Sequence, residues 1–221
     1  MNHSREGMIA SEKLRWLDIL ILFGIALFFI GFYYSTYLYP GGSVVDPSST
    51  SYSWLHNYWC DLTGVENIRL ETNGARAIAL PAILILCFSM GLFFIRFALT
   101  YGSGKLKKLL LISGPVTMAL ATLIFTELHN EMIIISSLVG LVTVYALMKI
   151  LNRAAMPSFK YAAIGCGVLL VINNIIYYTR FGIYFLPVVQ KLTFTFILVW
   201  IFTLTVRMMI KDGKCNSYHI I

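Results

Sequence analysis

The sequence predicts an all-α polytopic membrane protein: a bundle of six transmembrane helices with a short interfacial helix in its first outer loop. Three observations predict it. Hydrophobic residues make up 58% of the 221-residue chain and charged residues 12%, about half the charged share of a soluble domain. The apolar residues gather into six runs, each near the roughly 20 residues that cross a hydrocarbon layer. Lysine and arginine concentrate on alternate links between those runs. A soluble core cannot hide this much apolar surface, so lipid is the solvent for most of the chain. Soluble enzymes, nucleic-acid binders and disordered chains are thereby excluded. A strand barrel is excluded too, because ten-residue segments of alternating polarity are absent.

The spans follow in order. The first covers 16–37. Arg5, Lys13 and Arg15 precede it as in a signal peptide, but the apolar run is too long and no small-x-small cleavage site follows. Pro40-Gly41-Gly42 stops it. The loop 38–76 is the one long connection; its residues 52–62 hold Tyr52, Trp54, Tyr58 and Trp59, which predicts a short amphipathic helix at the membrane interface. Thr72-Asn73-Gly74 then opens the second span, 77–99. The others cover 109–126, 132–150, 161–178 and 184–208. Pro81, Pro115 and Pro187 fall near span starts, where lost backbone bonds are tolerated. Ser89 with Gly91, Ser136 and Ser137 with Gly140, and Gly165 with Gly167 read as close helix contacts. The remaining links are short, so 1–221 reads as one integral membrane domain.

Orientation comes from the cations. Thirteen of the seventeen lysines and arginines lie on the N-terminal tail, the second and fourth links and the C-terminal end; the other four are Arg69, Arg76, Arg180 and Lys191. The positive side faces the cytoplasm, which places both termini there, the loop 38–76 outside, and the protein in the cell membrane. The net charge of +7 then reads as loops held against an anionic leaflet rather than as a nucleic-acid surface. Asp18, early in the first span, is expected to pair with Arg15 or a neighbouring helix.

The chemically versatile residues gather at the outer end. The long loop supplies His56, Asn57, Cys60, Asp61, Asn73 and Arg76. Glu127, His129, Asn130 and Glu131 lie between the third and fourth spans, and Asn173, Asn174, Tyr177, Tyr178 and Arg180 end the fifth. Lys191 is about two turns inside the sixth span, where a lysine snorkels or meets a carboxylate; Glu127 and Asp61 are nearest by depth. Asp61, Arg76, Glu127, His129 and Lys191 are therefore expected to form one cluster with His56 at its edge. Within it His129, Asp61, Glu127 and His56 are the candidate acid–base groups. Arg76, Lys191, Asn173 and Arg180 would hold a substrate. His56, His129 and Asp61 also match the ligand count of an open catalytic zinc site, so a divalent metal is the cofactor they point to, although no HExxH pair is present. Against that stands a plain reading of both histidines as interfacial hydrogen-bonding residues. Cys60, with no disulfide partner in the loop, is a candidate nucleophile with His129 or His56 as base and Arg76 or Arg180 holding an anion.

Three motifs resemble uncharacterised bacterial six-span proteins, which are distantly similar to the eukaryotic DRAM/FRAG-like membrane proteins. They are Pro40-Gly41-Gly42, the aromatic stretch leading to Cys60-Asp61-Leu62-Thr63-Gly64 (with cysteine where the family carries serine), and Asn73-Gly74-Ala75-Arg76, followed by His129 after the third span. The resemblance implies a six-span fold and tilts the substrate towards lipid, since some relatives act in lipid-anchor remodelling or lysosomal membrane processes. Membrane lipids are the expected partners, with no nucleic acid. Three functions remain open: a lipid-acting hydrolase or remodelling enzyme, a non-catalytic scaffold or lipid-binding protein, and a small-solute transporter.

Overall fold

The computed structural model describes residues 2–217, with side chains over 14–128 and 131–212. Among the described residues there are six α-helices: α1 Asn2–Ser35, α2 Arg76–Tyr101, α3 Gly104–Leu123, α4 His129–Arg153, α5 Pro157–Thr179 and α6 Leu186–Ser217. Their apolar stretches, Leu14–Leu38, Arg76–Tyr101, Gly104–Phe125, Glu131–Arg153, Pro157–Thr179 and Ile183–Asp212, are each long enough to cross a membrane. They coincide with the six predicted spans and mostly outrun them, because helices extend past their most apolar cores into the polar boundary. Among the described residues the only β-type pairing is a single bridge, Glu66 to Thr72.

The chain packs as two compact units. The first comprises Met1–Ile25, Cys87–Lys160 and Trp200–Ile221; the second comprises Ala26–Leu86 and Tyr161–Val199.

In the first unit a buried ion group ties α1, α2 and α6. Arg96 and Asp18 are both fully buried. Arg96 donates from Nε to Asp18 Oδ1 at 2.8 Å, and from Nη2 to Asp18 Oδ2 at 3.0 Å and Asp212 Oδ2 at 2.6 Å. Nη1 donates to Thr100 Oγ1. A planar guanidinium fits this side-on, two-oxygen geometry, and the pairing offsets the cost of removing the Arg96 and Asp18 charges from water, while Asp212 stays partly exposed. Asp18 thus finds a partner on a neighbouring helix rather than Arg15.

Close approach explains the helix contacts nearby. A Cβ on Gly114 of α3 would lie 2.3 Å from the Phe94 Cβ of α2, so only glycine allows that packing. Thr117 of α3 and Thr143 of α4 share a buried hydrogen bond of 3.0 Å. Trp200 packs edge-on to Phe93 and donates Nε1 to Phe159 O at 2.9 Å.

The second unit is built on rings. Trp59 of the long loop meets Phe28 and Phe32 of α1 and Phe194 of α6 edge-on, with centroids 5.5, 5.8 and 6.1 Å away. Edge-to-face packing at such distances is favourable beyond area burial alone. No residue of α5 is buried. Along α6, Thr193, Thr195, Thr203 and Thr205 each donate their hydroxyl back to a carbonyl three or four residues earlier, at 2.8 to 2.9 Å.

The loop 38–76 is ordered, and its helical content is smaller than the amphipathic pattern predicts. Residues 52–62 fold as turns that end in one 3-10 helix, Cys60–Thr63. The reason is local competition for the backbone. Asn57 Oδ1 accepts from Ser53 N at 2.9 Å and Asp61 Oδ2 from Tyr58 N at 2.8 Å, bonds that take amides a longer helix would need.

Candidate functional site

Three buried asparagines and one arginine hold the loop. Asn57 donates to Gly42 O at 2.8 Å and to Asp61 Oδ2 at 3.0 Å. Asn67 donates to Gly41 O and Glu71 Oε2, and accepts from the amides of Arg69 and Glu71. Asn73 donates to Asp61 O and Gly64 O, and accepts from Ala75 N. An amide side chain suits this work because it donates and accepts at once. Arg69 adds bonds to the carbonyls of Pro40, Pro47 and Ser49 and a salt bridge to Glu71 at 2.8 Å. Hydrogen bonds from Arg69 and Asn67 hold the Glu71 carboxyl below its usual range.

The loop is fastened to α6 by two consecutive residues. Gln190 Oε1 accepts from Trp59 N at 3.2 Å. Lys191, buried, donates Nζ to Asn57 O and to Pro187 O and lies over the Tyr52 ring at 5.8 Å. Tyr52 in turn donates its hydroxyl to Asn57 O and Tyr58 O and meets Tyr39 edge-on. Burial pushes the Tyr39 hydroxyl up to about 12.

Where the loop tip meets α5 and α6 there is an open pocket of about 310 Å³. Tyr58, Cys60 and Asp61 line it from the loop, Asn173, Asn174 and Tyr177 from α5, and Leu186 and Gln190 from α6. Burial pushes the Asp61 carboxyl above the usual carboxylate range, opposed by hydrogen bonds from Asn57 and Tyr58 N and by the charge of Lys191. Arg180, just beyond α5, places its guanidinium over the Tyr177 ring at 5.2 Å.

The predicted site residues divide sharply. Asp61 and Asn173 share the pocket, with Lys191 and Arg180 adjoining its lining residues. Arg76 instead caps the 3-10 helix by donating to Thr63 O. His56 is half-buried, with Nδ1 3.4 Å from Ser53 Oγ, and does not line the pocket. Glu127 is exposed, and Lys191 is held by the carbonyls of Asn57 and Pro187. The His129 and Asn130 side chains lie outside the described residues. Among the described residues no three His, Cys, Asp or Glu side chains gather as a metal would require. Residue-by-residue reading missed Gln190, Tyr58 and Leu186 as pocket lining and Arg69 as the loop's anchor. Gln190 had one available signal: it sits beside Lys191 at the same end of the same helix.

No family model, curated protein or solved structure matches the chain.

Proposed function

We propose that this multi-pass protein binds the polar headgroup of a membrane lipid in the Asp61 pocket, on the outer side of the cell membrane, with both termini in the cytoplasm. One observation carries the reading: carboxylate, carboxamide and phenol groups converge in a single pocket at the ends of two membrane-length helices. Leu186 and the tyrosine rings supply apolar wall beside them, the usual composition of a small-molecule site. The resemblance to the DRAM/FRAG-like proteins points the same way. Purified protein, delipidated and re-exposed to a lipid extract, is expected to retain stoichiometric lipid by native mass spectrometry, and Asn174→Leu is expected to reduce that retention severalfold. Equal retention by both proteins would remove the pocket from the account.

A second reading makes the same site catalytic, as a lipid-acting hydrolase or remodelling enzyme. It is favoured by the raised proton affinity of Asp61, which suits a general acid, next to the exposed thiol of Cys60. Release of fatty acid or headgroup from the retained lipid, abolished in Asp61→Asn, would establish it; retention without turnover leaves the binding function alone.

The orientation has its own test. In a Cys60→Ser background, Ser49→Cys is expected to react with an impermeant maleimide on intact cells. Lys105→Cys, on the α2–α3 link, is expected to react only after permeabilisation. The opposite pattern would invert the topology.

A further inference from the structure

The charges around the pocket determine which headgroup it can take, granted the headgroup-binding function proposed above. Its lining carries one formal charge, the carboxylate of Asp61; every other lining side chain is neutral. Asp61 Oδ2 is occupied by Asn57 Nδ2 and Tyr58 N. Among the described residues Oδ1 has no hydrogen-bond donor, and no cation stands within ion-pair distance of the carboxylate. Lys191, whose charge acts on Asp61, does not line the pocket, and its Nζ is directed to two backbone carbonyls.

The neutral groups add to this bias. Asn174 of α5 donates Nδ2 back to Leu170 O at 2.8 Å, which leaves its Oδ1 as an acceptor. Two tyrosines, Tyr58 and Tyr177, contribute aromatic surface. A headgroup presenting only phosphate or carboxylate to this lining would meet a like charge with no cation to receive it. An ammonium would meet a carboxylate oxygen, an amide oxygen and aromatic rings, the set of groups that recognises amines. The cation for a phosphate stands outside the lining. Arg180 stacks on Tyr177, and its charge is felt at the Tyr58 hydroxyl.

We infer that the Asp61 pocket selects ammonium-bearing headgroups of the phosphoethanolamine type, with the ammonium at Asp61 Oδ1 and the phosphate towards Arg180. A primary ammonium fits better than a quaternary one because Asp61 and Asn174 offer oxygens that need N–H donors.

The full-length protein, delipidated, is exposed to an equimolar mixture of phosphatidylethanolamine, phosphatidylcholine and phosphatidylglycerol, and the retained lipid is counted by native mass spectrometry. Phosphatidylethanolamine is expected to exceed phosphatidylglycerol by about tenfold, the scale of one charge-assisted contact in a partly desolvated site. Asp61→Asn should bring the two to parity, since its amide oxygen still accepts from Asn57 and Tyr58 N while the charge is gone. Tyr177→Leu provides a second variant at a half-exposed ring and should lower phosphatidylethanolamine retention a few fold (about 2–5). Preferential retention of phosphatidylglycerol, or equal retention of the two by the wild type, overturns the selectivity and leaves lipid binding intact. Preference for phosphatidylcholine overturns the primary-amine assignment. No retained lipid at all removes both this inference and the function on which it rests. Displacement of lipid by free phosphoethanolamine at equal concentration would show a soluble amine to be the ligand, and would overturn the lipid source.

Discussion

Arg96→Leu is expected to cost about 3–5 kcal/mol and most of the folded yield, the penalty for removing one partner of a buried ion group. The substitution leaves Asp18, which is fully buried, and Asp212 without the guanidinium that bridges them. Two carboxylates then share a poorly solvated site, and either one must take up a proton or α1 and α6 must separate there. Arg96→Lys is expected to recover little, because one ammonium cannot reproduce the side-on pair to Asp18 together with the bond to Asp212. Asp18→Asn should be milder than Arg96→Leu, since it keeps one acceptor and leaves Arg96 paired with Asp212. Thermal unfolding in detergent, followed by size-exclusion fluorescence, checks the order of the three variants. A wild-type melting temperature for Arg96→Leu would show that the ion group contributes nothing to the first unit.

Asn57→Leu is expected to open the loop locally by about 3 kcal/mol or more, the sum of several buried polar groups left without partners at about 1–3 kcal/mol each. The groups are Ser53 N, Gly42 O and the Nδ2 contact to Asp61. Because Lys191 grips the carbonyl of the same residue, the damage should spread to the loop's attachment on α6. Hydrogen exchange over residues 42–61 reads it directly: amides protected in the wild type should exchange faster by about a hundredfold, while the spans remain unchanged. Wild-type protection in the variant would make the asparagine dispensable. Asn57→Asp should also fail. A carboxylate cannot donate to Gly42 O and would set a second negative charge against Asp61.

These two sites also mark where sequence reasoning succeeded and where it stopped. The six spans were legible because lipid imposes a composition on every residue it touches, so the signal accumulates over each apolar run. The loop was not legible in the same way. Its principal bonds join Asn57 to Gly42 and Arg69 to Pro40, across separations with no period, and they end on backbone carbonyls that look identical at every position. Hydropathy likewise reports depth in the membrane but not direction around a helix. It ranked Glu127 and Asp61 beside Lys191 by depth, but gave no sign that the lysine is held by the backbone carbonyls of Asn57 and Pro187. Arg96 shows the limit of counting. Among thirteen cations assigned to the positive side it resembled the solvated ones, although it is fully buried; the only hint was Asp18, an acid inside an apolar run.

The threonines of α6 carry a consequence for how such a segment partitions between phases. Hydropathy assigns each threonine a free hydroxyl, whose transfer out of water without a partner would cost several kcal/mol (about 4–8 into alkane). In α6 four such hydroxyls are already bonded to the helix's own carbonyls; Thr193 and Thr205 are fully buried, Thr195 is half-buried and Thr203 is exposed. With the hydroxyl satisfied by its own helix, each of them asks for no outside polar partner, whether it packs against protein or faces lipid, so the folded helix is oilier than its amino-acid composition.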